Sequence, residues 1–238
     1  MPALVQSATQ VSVAGSSSDA PSIVLNGTTG GNALVADATI FDLNNTWALD
    51  STTDGGNTFT TRPGVASAVG ARTRAVVSHA VNITGGNRTV AFNLSGTSGA
   101  GGRYYELGCQ EFSGVAASAA EDVFDANEEI DLTSTDISAG PVTTTDAGDL
   151  IVGAAATINL AIALGFASPT SWTNSYRQNS GSTNPGHDSG YWIPGSIQTT
   201  YTAQWSHNNG AGGVGAGVVV ALKPAIVGAQ NQLAWITA

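Results

Sequence analysis

The chain has 238 residues and a formal net charge of −10, with 10% charged and 42% apolar side chains. That apolar share argues against disorder, which needs low hydrophobicity beside high net charge. The negative balance gives a nucleic-acid backbone nothing to hold, and a single cysteine, Cys109, excludes an intrachain disulfide.

The length allows one large β domain or two small ones. Lys223 and Met1 are the sole residues of their types, while Gly, Ala, Ser, Thr and Asn are abundant. That composition favours strands and turns over helices. Met1–Ser7 lacks a basic stretch leading into an apolar one, so no signal peptide is expected. No apolar run reaches the ~18 residues of a membrane-spanning helix.

In chain order, residues 1–20 read as an N-terminal arm. Val5 to Val13 alternates weakly before the Gly15–Asp19 break. The body is expected over residues 21–225. Ala33–Phe41 is a strand candidate, and Asp54-Gly-Gly-Asn57 is a hairpin signal, since Gly and Asn tolerate the positive φ of tight turns. Arg74–Ile83 and Arg88–Leu94 flank Gly85-Gly-Asn87 and predict a second hairpin, with Val90, Phe92 and Leu94 on one face.

Tyr104–Phe112 alternates and stops at Ser113-Gly114. Residues 116–131 look helical, but beside so many strands they read as a loop with at most a short helix. Leu150–Leu164 is apolar enough for a buried helix or a strand. Further strands are expected at 197–206 and 214–222. The tail over 226–238 carries Leu233, Trp235 and Ile236, which have no domain of their own to enter. With Leu4 and Val5 at the other end, they are candidate assembly contacts.

Reactive chemistry is sparse. Gly210-Ala-Gly-Gly-Val-Gly215 has the spacing of a dinucleotide loop, but a strand follows where a helix should open. His79 falls in a strand; His187 and His207 lie in Gly/Asn-rich loops, where the two readings are a metal or catalytic pair that meets in three dimensions and ordinary loop residues. Cys109 has no nearby His to activate it and reads as a buried thiol. No catalytic residue is assigned.

Two clusters carry binding readings. Glu121, Asp122, Asp125, Glu128, Glu129 and Asp131 offer oxygen ligands in one stretch, which suits Ca²⁺, with Asp122, Asp125, Glu128 and Glu129 as its candidate ligands. The other reading of that stretch is a solvated acidic face. Trp172, Tyr176, Tyr191 and Trp192 lie among Asn, Ser and Asp, where exposed rings stack on sugars. The alternative is that these rings enter the core. Tyr201 and Trp205 share one strand face and read as core, and Tyr191 and Trp192 point opposite ways if extended.

Several segments in order give a resemblance. They are Asp54–Phe59, Glu111-Phe-Ser-Gly-Val115, Thr143–Val152, the Trp172 segment, Tyr201–Ser206 and Val218–Ala225. Together they resemble jelly-roll-like modules of phage structural proteins and bacterial surface proteins, over roughly residues 30–225. The resemblance implies an all-β, antiparallel, jelly-roll-like β-sandwich with a terminal arm at each end. It carries over no catalytic residue.

The expected role is a non-enzymatic virion protein, a capsid decoration or head-surface subunit on the outside of a phage particle. It would bind other capsid or tail subunits and form homo-oligomers, with no nucleic acid and no membrane span. The other expectation is an extracellular carbohydrate-binding adhesin or tail-fibre module that takes host-surface glycans. A hydrolase is the weakest reading, for want of a nucleophile paired with a base.

Overall fold

The computed structural model describes residues 1–11, 20–42, 48–63, 73–95, 103–129, 136–157, 164–168, 171–178, 186–207 and 215–226. Among them every regular element is a strand. The first half holds β1 (Ala3–Val11), β2 (Ser22–Thr28), β3 (Ala33–Asp42), β4 (Ala48–Thr53), β5 (Thr60–Pro63), β6 (Thr73–Ala80), β7 (Gly86–Ser95) and β8 (Arg103–Ser113). The second holds β9 (Glu121–Glu129), β10 (Asp136–Val142), β11 (Leu150–Thr157), β12 (Leu164–Ser168), β13 (Thr173–Gln178), β14 (Gly186–Trp192), β15 (Tyr201–His207) and β16 (Gly215–Leu222).

The two halves are wired alike. The first forms a 5-stranded sheet, β1-β8-β3-β6-β5, and a 3-stranded sheet, β2-β7-β4. The second forms β9-β16-β11-β14-β13 and β10-β15-β12. Adding eight to each strand number of the first half reproduces the second. Within each half the pairs nest: β1 with β8, β2 with β7, β3 with β6, then β9 with β16, β10 with β15, β11 with β14, all antiparallel.

The four sheets stack in layers, and three buried clusters show the order. Ile23, Leu25, Val90 and Phe92 of the first 3-stranded sheet pack on Leu34, Ile40, Val76 and Leu107 of the first 5-stranded sheet. The opposite face of that sheet, through Val35, Val77 and Phe112, packs on Val152, Ala154, Val218 and Val220 of the second. The far face of the second sheet packs on Ile137, Ala203 and Trp205. Both 5-stranded sheets are therefore inner layers. Strands covered on both faces cannot alternate in polarity, and β11 and β16 are buried at every position. This is why Leu150–Thr157 can pass for a helix in sequence. By contrast β7, in an outer layer, alternates, with Val90, Phe92 and Leu94 inward.

Four expectations meet a different arrangement. Of the expected 1–20 arm, Ala3–Val11 does not reach away: it is hydrogen-bonded along β8 as the edge of an inner sheet. The body is two sandwiches, not one. Arg74–Ile83 and Arg88–Leu94 do not make a hairpin, because β6 and β7 lie in different sheets. The Gly85-Gly86 corner carries the chain between layers, and Gly85 packs so tightly that a Cβ there would stand 2.7 Å from the Thr28 carbonyl. Finally, Glu121–Glu129 is a strand, held against β16 from Leu222 to Gly215. An exposed outer edge explains why its sequence lacks an apolar pattern.

Residues 114–120 link the halves and are clamped by the segment after β16. The Ala116 amide donates to the Lys223 carbonyl, the Lys223 amide to Ala120, and the Ala225 amide to Gly114. Gly114 has φ +72° and abuts the Met1 carbonyl, so the position requires glycine twice over.

Candidate functional site

The face where the inner sheets meet is apolar at one end and polar at the other. The first inner sheet contributes Asp37 and Thr39 from β3 and Glu106 and Gln110 from β8; the second contributes His187 and Ser189 from β14, all buried. Their strand positions share one parity on each strand, so they converge. The Gln110 amide donates to Asp37 Oδ2 (3.1 Å), and Asp37 Oδ1 stands 3.4 Å from His187 Nε2. Thr39 Oγ1 is hydrogen-bonded to His187 Nδ1. Gly108, opposite Asp37, makes room for its carboxylate: a Cβ there would lie 2.6 Å from Oδ2.

Electrostatics follow from burial. Glu106 is pushed up to about 7 by burial, partly offset by His187, and neither of its carboxyl oxygens has a hydrogen-bond partner. Burial pulls the His187 imidazole down. The hydrogen bond to Asp37 and the charges of Glu106, Asp37 and Asp188 outweigh it, leaving His187 raised and favoured as a cation. Thr39, His187 and Asp37 are the group types of a nucleophilic triad. Here they are 1%, 0% and 0% exposed, so no substrate reaches them, and the imidazole faces the carboxylate through the same nitrogen that a triad turns to its nucleophile. The geometry serves to fasten one sheet to the other.

At the edge of this same face a cleft of about 270 Å³ opens to solvent, lined by Thr58, Thr60, Arg62, His79, Val81 and Glu121 among others. Strands from both halves build it: β5 and β6 from the first, the start of β9 from the second. Arg62 grips Glu121 with a two-point fork, Nε to Oε2 at 2.9 Å and Nη2 to Oε1 at 2.6 Å. Its guanidinium lies 4.1 Å over the Phe124 ring. His79 Nε2 is 3.9 Å from Glu121 Oε2. Burial lowers the His79 pKa, Glu121 pulls it up and Arg62 presses it down again; the ring is held neutral. Its Nδ1 is buried with no hydrogen-bond partner.

The expected sugar-stacking rings are placed as follows. Tyr191 packs edge-on against Phe112, centroids 5.0 Å apart, across the seam between the halves. Trp192 turns the other way and lies 5.4 Å from the Tyr201 ring, with Trp172 6.4 Å from it on another side. Both Trp rings pack against the second outer core. The opposed directions of Tyr191 and Trp192, and the burial of Tyr201 and Trp205, are as the strand pattern predicts. Tyr176 lies on β13, and its side chain is outside the described residues.

Of the expected calcium ligands, the described Asp122 and Asp125 are engaged separately. Asp122 accepts from the Thr145 amide (2.5 Å) and hydroxyl (2.7 Å) and faces the Lys223 ammonium at 3.4 Å. Asp125 accepts instead from the Gly140 amide at 2.8 Å. Both are strand residues serving different loops. The side chains of Glu128 and Glu129 lie outside the described residues. Among those described, no group of three His, Cys, Asp or Glu is set to hold a metal ion. Asp122 pairs with Asp149, whose carboxyl stands at about 7 through burial, the Asp122 hydrogen bond and charge, and Asp146.

The assembly candidates divide. Leu4 and Val5 are 41% and 49% exposed on the open edge of the first inner sheet. Leu233, Trp235 and Ile236 lie outside the described residues, as does the Gly210–Val214 stretch. Cys109 is fully buried and its thiol is pushed far up, first by burial.

Sequence reading missed the sealed cluster and the seam cleft. The signal in sequence was Asp37 within Ala33–Phe41, a charge in an apolar strand that demands a buried partner. Comparisons with protein-family models, with curated proteins and with solved structures found no match.

Proposed function

We propose that the chain is a non-enzymatic virion structural protein, a capsid decoration or head-surface subunit exposed on the particle and bound to neighbouring subunits. The observation that carries this reading is the strand order. Nested pairs 1–8, 2–7 and 3–6 folded over into two sheets support a jelly-roll reading, an architecture used by viral capsids and by lectins. Here the fifth strand of each half joins the larger sheet beside the sixth.

Two such units packed face to face make a block in which, among the described residues, Asp37, Glu106 and His187 are turned inward. That suits a protein that binds by shape. β1 supplies the contact: an edge strand with exposed Leu4 and Val5 adds readily to a neighbouring sheet or covers an apolar patch on one. The net charge of −10 keeps unassembled copies apart. Mass spectrometry and electron microscopy of purified particles test the proposal. Stoichiometric, symmetric copies on the shell are expected. Particles that lack the chain overturn it.

A further inference from the structure

Among the described residues, the seam cleft is a better ligand site than the aromatic clusters. Its charges cancel, since Arg62 and Glu121 are bonded to each other and His79 is held neutral. An anion or a cation therefore gains no net Coulomb attraction there. The lining is nonetheless dense in hydrogen-bonding capacity. The fork uses two of the five guanidinium donors of Arg62, and each oxygen of Glu121 can accept a further bond. Thr58 and Thr60 line the cleft with them.

His79 forms an inner wall of the cleft, with its side chain 6% exposed and its Nδ1 sealed from solvent. Val81 adds an apolar wall for a C–H face. At about 270 Å³ the cleft falls just under the range of drug-sized sites and takes one small ring.

We propose that this cleft, where His79, Arg62 and Glu121 meet Thr58 and Thr60, binds a neutral, hydroxyl-rich ligand: a single sugar residue, such as the end of a glycan. The site needs both halves of the chain, so the fusion of the two sandwiches is what creates it. This goes beyond the structural role and stands whether or not particles carry the chain.

The test uses the full-length chain with free galactose, glucose, mannose and N-acetylglucosamine as probes, read by saturation-transfer NMR and by side-chain chemical shifts. At least one sugar is expected to bind with a Kd in the millimolar range, with shifts concentrated at His79, Arg62 and Thr60. Thr60→Val removes one hydroxyl at nearly constant shape and is expected to weaken binding about tenfold. His79→Phe, where it folds, does the same or more. Absence of binding by every probe, shifts centred elsewhere, or Thr60→Val binding with unchanged affinity overturns the proposal. Because the shift map is taken on the unaltered chain, it decides the matter even if both variants fail to fold.

Discussion

The two sandwiches share one wiring and fill it oppositely. In the first, the outer sheet presents Phe92 and the aliphatic Ile23, Leu25 and Val90, and the inner sheet answers with Leu34, Ile40, Val76 and Leu107. In the second, the outer sheet presents Trp205 from the strand equivalent to that of Phe92, and the inner sheet answers with Gly153 and Gly217 under the ring and Ile151, Ala155 and Val219 around it. A Cβ at Gly153 would stand 3.0 Å from the Trp205 ring, one at Gly217 3.3 Å from it, and one at Gly215 2.5 Å from Ile137. A larger ring above is matched by a lower floor beneath, so the layer spacing of about 10 Å is kept. The lesson is that topology is preserved by conserving summed volume across a layer, not residue by residue.

The sharpest way to break that comparison is to empty both cores. Trp205→Ala is expected to cost about 3–5 kcal/mol, and Phe92→Ala the same range or less. Directly beneath Trp205 stand Gly153 and Gly217, which have no side chain to shift into the cavity, flanked by Ile151 and Val219, whereas Leu34 and Leu107 can shift toward a missing Phe92. Chemical denaturation of both variants checks the order. A larger loss for Phe92→Ala would refute the volume argument.

Next in size is the fastening between halves. Asp37→Ala leaves His187 buried without its carboxylate and is expected to cost about 3 kcal/mol at pH 6, measured by denaturant midpoint. A loss no larger than that of a surface substitution would show that the two inner sheets are held by Val35, Val77, Phe112 and their neighbours alone.

Glu106→Gln should act in the opposite direction. The carboxyl moves from an ordinary 4.5 to about 7 on folding. Between those values the folded chain keeps a proton that the unfolded chain has lost, so this group favours folding at low pH and its contribution is lost as pH rises through 7. Asp149, raised from 3.8 to about 7, and His187, raised above 6.5, have the same sign. His79, lowered from 6.5, opposes them, losing its contribution as pH falls. Thermal stability of the parent chain should therefore decline from about pH 5 to pH 8. Glu106→Gln is expected to gain about 1–2 kcal/mol at pH 8 and little at pH 5. A parent chain whose stability rises steadily to pH 8 contradicts the assignment.

The smallest expected effect on folding is at the edge. Val5→Lys should change stability by no more than about 0.5 kcal/mol, since Val5 is half exposed. The same change should abolish attachment to particles, because a Lys on an edge strand opposes pairing with another sheet. Retained attachment would move the contact away from β1.

How much of this was legible beforehand follows the same contrast. Strands whose faces differ, such as Val90–Leu94, announced themselves by alternation. The inner strand Gly215–Leu222 was legible as an apolar run after a glycine-rich stretch, while the run from Leu150 left helix and strand both open, because a strand buried on both faces does not alternate. The duplication was not, because Phe92 against Trp205, and Leu107 against Gly215 and Gly217, erase any residue-level echo between halves. Glu121–Glu129 was missed because an edge strand needs no apolar pattern. Asp37 signalled a buried charge, but its partner is 150 positions away along the chain. The seam cleft was out of reach for the same reason: Arg62 and Glu121 meet only because two sheets do, and their separation in sequence carries no motif.

The face-to-face docking of the two inner sheets underlies the sealed cluster, the cleft and the proposed structural role alike. The most direct test is a nuclear Overhauser measurement between the rings of Phe112 and Tyr191, which belong to different halves and lie 5.0 Å apart. A clear ring-to-ring cross-peak, as strong as that between Trp192 and Tyr201 within the second half, is the expected result. Its absence, with the Trp192–Tyr201 peak present, would mean that each sandwich folds but the two do not dock.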